Sequence, residues 1–291
     1  MKSYIFSGQG SQVVGMGKEL CTHSAVSKEY LEVADDILGF PISRLMYEGS
    51  EEDLKKTAIT QPVVFLYTVI KARITRDFKP DMVAGHSLGE ISALVAIRAI
   101  SFADGLRLTH KRATAMQAAC EKQPSTMAAV MGIDDAIVEA VCKSIDHEIV
   151  VPANYNCPGQ LVISGTMEGI RIAAEKLKEA GARRVLPINV GGAFHSPLME
   201  PAKQELEKAI LETHFKQPIC PIYQNVTGKA ETDPDIIKQN LINQLTAPVR
   251  WTQTIENMIA DGALHFIEVS PKSVLISMVK KINDRTMASA L

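Results

Sequence analysis

Long hydrophobic runs are missing from this chain of 291 residues. The most apolar stretch, residues 91–97, is stopped by Arg98, whereas a membrane-spanning helix needs about 20 apolar residues. The N-terminus has one lysine and a short apolar run that Gly8 interrupts, which is unlike the charged start and longer apolar core of a signal peptide. We therefore expect a cytoplasmic protein without a membrane partner.

Cysteines are few, and their spacing does not match the sites that cysteine usually builds. None of the five belongs to a C-x-x-C pair and their number is odd, which argues against a disulfide framework and a structural zinc site. No other cluster of metal ligands is visible, so we expect neither a metal nor a bound cofactor. The five positions are Cys21, Cys120, Cys142, Cys157 and Cys220.

An excess of charge of either sign is also missing. The chain carries 31 Lys and Arg against 33 Asp and Glu, a formal net charge of −2, so nothing in the total indicates a nucleic acid or an anionic membrane as partner. With 46% hydrophobic and 22% charged residues, the composition is that of an ordinary globular enzyme. The length allows one large core, or a large core with a smaller second domain.

A serine between two glycines is the most informative feature that the sequence does contain. An apolar run at residues 82–84 leads into Gly-His-Ser-Leu-Gly at residues 85–89, and helix-forming residues continue from Glu90. A strand, a G-x-S-x-G turn and a helix form a nucleophile elbow, in which glycines permit close backbone approach and Ser87 is held out on the turn. The helix N-terminus adds amide donors for an oxyanion. The alternative is an ordinary turn, which this short pattern often marks.

Strand and helix signals alternate along the chain and predict an α/β fold. Between residues 126 and 190 the order is strand, helix, strand, strand, helix, strand, which is typical of a ferredoxin-like unit. Outside this region the alternation predicts a mostly parallel sheet with helices on both faces. We therefore expect a large α/β-hydrolase-like domain formed by residues 1–125 and 191–291, with a small ferredoxin-like domain inserted at residues 126–190.

Three helices are predicted around the serine. Residues 18–38 have helical spacing, and Thr-Gln-Pro at residues 60–62 predicts the start of a buried helix that continues over residues 63–74. A further helix, beginning at residue 101, carries four cationic or titratable side chains near helical spacing. One of these could point toward Ser87, and a solvated helix face is the alternative.

A serine hydroxyl needs a base that takes its proton, and His195 is the strongest candidate among the seven histidines. It lies in a glycine-rich loop between a strand and a helix, where functional groups are often presented; a capping or packing role is the alternative. His23 is in polar surroundings typical of the surface, and His265 lies within a predicted strand. His86 is in the elbow, but its side chain should project away from that of the serine.

A third catalytic member does not stand out. Glu268 is the one acidic residue downstream of Ser87 that lies at an obvious strand position. A carbonyl group can instead fix the tautomer of an imidazole. A Ser–His pair is therefore physically sufficient.

Several further motifs occur in a fixed order around these residues. They are Gly8-Gln9-Gly10-Ser11-Gln12, Thr60-Gln61-Pro62, Gly85-His86-Ser87-Leu88-Gly89-Glu90, Lys111-Arg112, Met116-Gln117, residues 154–165, Gly192-Ala193-Phe194-His195-Ser196-Pro197, Gln244-Leu245 and Pro248-Val249-Arg250-Trp251. In their order and spacing the chain resembles the malonyl-CoA:acyl carrier protein transacylases, the acyltransferase family of fatty acid and polyketide synthesis, over essentially its whole length.

The resemblance implies the catalytic roles. Ser87 would be the nucleophile that takes up the acyl group, and His195 would be the base. The backbone carbonyl of Gln244 would orient His195, and the backbone amides of Gln9 and Leu88 would form the oxyanion hole.

The resemblance also implies the substrate contacts. Arg112 would pair bidentately with the free carboxylate of a malonyl group, a geometry that a guanidinium suits. Gln9, Gln61 and Phe194 would line the same substrate site, and the ring of Phe194 would crowd an α-methyl branch on the acyl group.

The implied activity is a ping-pong transfer of malonyl groups from malonyl-CoA to the phosphopantetheine thiol of acyl carrier protein, for fatty acid synthesis of type II. A free-standing acyltransferase of a polyketide synthase is the nearest alternative, because the motifs do not separate the two pathways. A serine thioesterase or acyl hydrolase would use the same elbow and base but would not need Arg112. An inactive module that only docks the carrier protein is a further alternative, against which the intact Ser87 and His195 argue.

Overall fold

The computed structural model describes residues 1–22 and 24–291, apart from the side chain of Cys21. The expectation that His23 lies at the surface falls on the residue outside this range. The described strands are β1 Lys2–Phe6, β2 Met82–Gly85, β3 Ser125–Met131, β4 Val150–Cys157, β5 Gln160–Thr166, β6 Arg184–Ile188, β7 Ile222–Tyr223, β8 Ala230–Glu231, β9 His265–Val269 and β10 Met287–Ala290.

Helices connect these strands. They are α1 Lys18–Thr22, α2 Ala25–Leu38, α3 Ile42–Glu48, α4 Glu51–Lys55, α5 Thr57–Ile74, α6 Gly89–Ala96, α7 Phe102–Lys122, α8 Asp135–Lys143, α9 Met167–Glu179, α10 Glu200–Glu212, α11 Pro234–Asn243, α12 Trp251–Ala260 and α13 Ile276–Ile282, with 3₁₀ turns at Pro197–Met199 and Gln244–Thr246. In the described part of the chain, no helix is long and apolar enough to cross a membrane.

The larger sheet has the strand order β10-β9-β1-β2-β7-β8 and is parallel except for β8, the edge strand. Strand β1 lies at its centre, with Phe6 opposite both Gly85 of β2 and Val269 of β9. The carboxyl ends of these three strands therefore meet at one edge. Ligands of open parallel sheets bind at that edge, and the Ser87 turn and the Gly8 loop both leave the sheet there.

Both faces of this sheet are covered, as the alternation of side chains along β1 shows. Tyr4 and Phe6 pack into the core that includes α5, α6 and α7, whereas Ile5 packs on the other face against Trp251 of α12 and Val279 of α13. Side chains of successive strand residues point to opposite faces. The predicted mostly parallel sheet with helices on both faces is confirmed.

The second sheet, in the order β4-β5-β3-β6, pairs only antiparallel neighbours. Helix α8 connects β3 to β4 and α9 connects β5 to β6, which is the predicted ferredoxin-like order. The α/β fold class with a separate antiparallel sheet is thereby confirmed, while the division into domains at residues 126–190 stays a prediction. Backbone hydrogen bonds join this sheet to the rest of the molecule: the Val249 amide donates to Ala153 at 2.8 Å, and the Tyr155 amide donates to Val249 at 2.9 Å.

Two helix predictions differ from the structure. Residues 18–38 form the separate helices α1 and α2, because the Ser24 side chain accepts a hydrogen bond from the Ser27 amide and begins α2. Helix α5 begins at Thr57 rather than at residue 60, so Pro62 lies inside the helix. Proline costs an interior helix one hydrogen bond, but 13 of the 18 residues of α5 are buried, and this packing outweighs the local preference.

The close contact between the start of α6 and the end of β1 leads to a prediction about stability. A Cβ atom on Gly89 would lie 2.1 Å from the carbonyl oxygen of Phe6, which belongs to the backbone and cannot rotate away. Gly89→Ala should therefore lower the free energy of unfolding by about 3 kcal/mol. Gly191→Ala is the matched control, since no atom lies within 4 Å of its added methyl group, and its effect should stay within about 0.5 kcal/mol. Denaturant unfolding measures both, and equal effects would contradict the prediction.

Candidate active site

Ser87 lies in a sharp turn between β2 and α6 with the left-handed backbone angle φ 53°. Few residues other than glycine adopt such an angle without strain. The turn is closed by a hydrogen bond from the Gly89 amide to the His86 carbonyl at 3.0 Å. A Cβ on Gly85 would lie 1.9 Å from the carbonyl carbon of Gly89. Both glycines are therefore required for the backbone to cross itself this closely, which is the geometry of the predicted elbow.

Two amide side chains hold the strained turn from behind. The side-chain oxygen of Asn225 accepts the Ser87 amide at 2.7 Å, and its nitrogen donates to the Gly85 carbonyl at 2.6 Å. The side-chain nitrogen of Gln244 donates to the Ser87 carbonyl at 3.1 Å. The sequence motifs assign no role to Asn225. Its distance along the chain from Ser87 leaves no local pattern that would identify it.

The imidazole of His195 lies between Ser87 and the backbone of the 3₁₀ turn at Gln244–Thr246. Its Nε2 is 2.8 Å from Ser87 Oγ, and its Nδ1 is 2.9 Å from the Gln244 carbonyl and 3.2 Å from that of Ala247. A carbonyl oxygen can only accept, so Nδ1 carries the proton and Nε2 accepts from the serine hydroxyl. This arrangement allows His195 to remove the proton of Ser87.

Burial lowers the pKa of His195 to about 3, and the neighbouring positive charge of Arg112 acts in the same direction. The hydrogen bond to the Gln244 carbonyl opposes both effects. The imidazole is therefore neutral, and able to accept a proton, across the physiological pH range. His195 also has a positive φ of 57°, a backbone angle that residues other than glycine seldom adopt.

Arg112 of α7 reaches into the same site and is 1% exposed. One terminal nitrogen donates to Gln61 Oε1 at 2.7 Å, and the other donates to Ser87 Oγ at 2.9 Å and to Gln244 Oε1 at 3.2 Å. Its Nε has no partner in the described chain, and no described Asp or Glu lies within ion-pair distance of it. A buried cation bonded only to neutral groups is available to an anionic ligand.

The loop after β1 places Gln9 beside the serine turn. A Cβ on Gly8 would lie 2.5 Å from the His86 carbonyl oxygen and 3.6 Å from the Leu88 nitrogen, so the two backbones touch. No hydrogen-bond acceptor of the described residues takes up the amide of Gln9 or that of Leu88. Two unpaired amides at the serine turn are of the kind that can donate to an oxyanion.

These residues surround a cavity of about 270 Å³ between the two sheets. Phe194 lines it together with Met127 and Asn154 of the antiparallel sheet and Met278 of α13. Apolar walls with a few polar groups are typical of a small-molecule site. A larger depression of about 580 Å³ near Arg98 contains none of the groups described above, so volume alone does not identify the site.

Two other candidates from the sequence make different contacts. The carboxylate of Glu268 accepts the amides of Val274, Leu275 and Ile276 at distances between 2.8 and 3.1 Å. It therefore holds the start of α13 and is not a third member beside His195. His86 bonds to Asn156 at 3.0 Å and packs against the ring of Trp251. Within the described residues, no group of three or more His, Cys, Asp and Glu side chains could hold a metal ion.

Comparisons with known proteins place this geometry in context. The family model described as "Acyl transferase domain" matches residues 3–290. The malonyl CoA-acyl carrier protein transacylase of Bacillus subtilis is 40% identical, over 99% of this chain and 92% of that protein. A crystal structure of an acyl carrier protein S-malonyltransferase from Vibrio cholerae superposes with a TM-score of 0.96 at 39% identity, over 100% of this chain and 96% of that one.

A second solved structure is similar to the same extent. It is described as a type II PKS acyl-carrier protein in complex with its malonyl-transacylase, and the match has a TM-score of 0.96 at 36% identity. It covers 100% of this chain and 95% of that one.

The site geometry generates a prediction about the base. His195→Ala should slow the reaction of Ser87 with a neutral fluorophosphonate by about 10²–10⁴-fold, because the hydroxyl loses its proton acceptor. In the wild type the rate should stay level between about pH 5 and pH 8, where an ordinary histidine gains its proton, since the pKa of His195 is lowered to about 3. His265→Ala is the control, because His265 bonds to Ser289 outside the cavity. A rate that falls with a midpoint near the ordinary histidine pKa of about 6.5 would contradict the assignment.

Proposed function

The chain belongs to the acyl transferase domain family, and we propose that it transfers malonyl groups from malonyl-CoA to the phosphopantetheine thiol of acyl carrier protein. The resemblance seen in the sequence motifs is confirmed by the family match and by the relatives, which are similar over nearly their whole length. Malonyl-CoA is a substrate here and no bound cofactor takes part. The pathway in which this activity takes part is fatty acid synthesis.

One observation supports malonyl as the acyl group: the buried guanidinium of Arg112 donates to Ser87 Oγ at 2.9 Å. A group that attaches to Ser87 and carries a free carboxylate two carbons away can reach Arg112 with that carboxylate. The guanidinium suits a bidentate pair with it, and in a water-excluded site such a pair is strong. An acetyl group offers Arg112 no charge, which favours malonyl.

The proposed reaction proceeds in two symmetrical halves. His195 takes the proton of Ser87 Oγ as the oxygen attacks the thioester carbonyl of malonyl-CoA, and the protonated imidazole returns that proton to the coenzyme A sulfur as the carbon–sulfur bond breaks. The product is a malonyl ester of Ser87. The carrier thiol then gives its proton to His195 and attacks the ester, which restores Ser87 and leaves a malonyl thioester on the carrier.

Two amides support the tetrahedral intermediate of each half. The N–H groups of Gln9 and Leu88, which no described acceptor takes up, donate to the oxyanion in this proposal, and each such donor contributes about 10²–10³-fold in rate. The carbonyls of Gln244 and Ala247 stabilise the imidazolium of His195 that forms at the same time. Gln61 holds Arg112 from the side opposite Ser87, which is its proposed part in substrate binding.

The location and the domain division belong to the same proposal. The four cysteines whose side chains are described are all free, which supports action in the reducing cytoplasm. Residues 126–190 form the small domain, whose β3, β4 and β5 supply one wall of the cavity. Sites between two such units are common for small ligands.

The transferase proposal is tested by intact-protein mass spectrometry after incubation with malonyl-CoA and then with acyl carrier protein. The wild type should gain a malonyl group that moves to the carrier, and Ser87→Ala should gain none. Arg112→Ala should lower the rate of malonyl loading by about 10²-fold, because a charge-assisted pair is lost, and should not lower acetyl loading to the same extent.

A different outcome would select one of the alternatives. A malonyl adduct that decays into free malonate, with the carrier unloaded, identifies an acyl hydrolase. An adduct on Ser87→Ala would overturn the assignment of the nucleophile.

The size of Phe194 generates a prediction about selectivity. Its buried ring lines the cavity beside His195, and replacing it by serine opens space next to the acyl group. Phe194→Ser should raise the rate of methylmalonyl relative to malonyl loading by about tenfold, since one methyl group accounts for roughly 1–3 kcal/mol. Competition of the two coenzyme A esters for loading measures this ratio. Met278→Ala is the control, as it also enlarges the cavity but not next to His195, and an equal gain there would argue against a specific role of Phe194.

A further inference from the structure

Glu90 is a buried carboxylate for which the reaction described above has no use. It is the second residue of α6 and is 0% exposed. One of its oxygens accepts the Asn225 amide at 2.7 Å, and the other accepts the side-chain nitrogen of Gln224 at 3.2 Å. A fully buried carboxylate costs free energy unless its charge is compensated, so its presence behind the serine turn needs a reason.

The first part of the reason is mechanical. The backbone amide of Asn225 donates to the Glu90 carboxylate, and the side-chain oxygen of Asn225 accepts the Ser87 amide, at 2.7 Å in both cases. Two short hydrogen bonds thus connect the Glu90 carboxylate to the backbone of the nucleophile. Because Ser87 has a strained φ of 53°, a rigid partner is needed to keep it there.

The second part is electrostatic. Arg112 has no ion-pair partner in the described chain, but hydrogen bonds through two amides connect it to Glu90. Arg112 donates to Gln244 Oε1 at 3.2 Å, Gln244 Nε2 donates to Asn225 Oδ1 at 3.4 Å, and the Asn225 amide donates to Glu90. Glu90 is also the carboxylate whose charge raises the pKa of Arg112. Burial raises the pKa of Glu90 to about 7, whereas the hydrogen bonds from Asn225 and Gln224 and the positive charge of Arg112 act to lower it. Burial lowers the pKa of Arg112 to about 10, and the negative charge of Glu90 opposes this. Each charge therefore makes the other one tolerable.

The remaining surroundings of α6 are uncharged. Helix α5 and strands β1 and β2 pack against α6, and their buried residues are apolar or neutral, with Tyr4 and Tyr67 as the titratable ones. Burial raises the pKa of both tyrosines above its ordinary value. Asn225 and Gln244 present amides, and on α7 the charged group that faces Glu90 is Arg112. The histidines of the site, His86 and His195, are neutral because burial lowers the pKa of each.

We propose that Glu90 is a positioning residue, which holds the Ser87 turn through Asn225 and takes up a proton from solvent when the carboxylate of the acyl group reaches Arg112. The second half of this inference rests on the proposed function, which brings that carboxylate to Arg112. One guanidinium cannot balance two buried carboxylates, since like charges in a low dielectric strongly disfavour joint ionisation. The malonyl carboxylate lies directly on the cation, so Glu90 is the group that becomes neutral.

The test measures how the second-order rate constant for acylation of Ser87 by malonyl-CoA depends on pH. Above the second pKa of a phosphate ester, about 6, coenzyme A keeps its charge. Between about pH 7 and pH 8.5 the wild-type constant should fall several-fold, toward the limit of tenfold per pH unit for uptake of one proton. The fall should come from KM, with the rate at saturation unchanged.

Three variants distinguish the effect of the charge of Glu90 from the effect of its position. Glu90→Gln should remove the pH dependence and lower the saturating rate, because one acceptor is lost. Glu90→Asp should keep the pH dependence with a lower saturating rate, because the charge remains while the reach is shorter. Ser92 lies on the same helix as Glu90, and its hydroxyl accepts a buried hydrogen bond from Thr68 of α5. Ser92→Ala removes this hydrogen bond and should retain the wild-type pH profile.

Two results would overturn the inference while leaving the transferase intact: a wild-type constant that is level over this range, or the same fall in Glu90→Gln. If Glu90→Gln does not fold, calorimetry of malonyl-CoA binding to Ser87→Ala in two buffers of different ionisation enthalpy counts the protons directly. Uptake near one proton per site at about pH 8 supports the inference, and none contradicts it. Failure of the wild type to form a malonyl-serine ester would refute the proposed function instead, so the two failures are distinguishable.

Discussion

A guanidinium that is buried without an ion-pair partner among the described residues influences the groups around it in this site. Removing a charge from water is costly unless its hydrogen bonds are satisfied, and Arg112 obtains them from Gln61, Gln244 and Ser87 itself. The same charge helps to keep His195 neutral and therefore able to accept a proton. The site is thus strained electrostatically in a way that an arriving carboxylate relieves.

Much of the site could be predicted from the sequence, because its parts lie in short contiguous motifs. The strand, the two glycines and the helix around Ser87 predict the elbow, and the glycine-rich loop marks His195. The structure places both side chains at hydrogen-bond distance. The carbonyl of Gln244 that faces His195 was implied only by the family resemblance, since a backbone group leaves no signature of its own.

The rest could not be predicted, because it depends on contacts between distant parts of the chain. Asn225 is 138 residues from Ser87, and Glu90 looked like an ordinary acidic residue in the first turn of a helix. The start of α5 was misplaced because Pro62 is a strong local signal for a helix N-terminus, whereas the burial of that helix is a tertiary effect. The acidic candidate Glu268 was ambiguous for a similar reason, since the amides it holds belong to the next helix.

The hydrogen bonds between Val249 and strand β4 have a consequence for the order of events at the cleft. They join β4 of the antiparallel sheet, at Ala153 and Tyr155, to the segment that precedes α12, so an outward movement of this wall of the cavity would have to break both hydrogen bonds. The cavity of about 270 Å³ contains both Ser87 and Arg112 in its lining. In the proposed reaction both thiol-bearing arms reach Ser87 through this one cavity, and the malonyl ester of Ser87 is the intermediate that carries the group from the first half-reaction to the second.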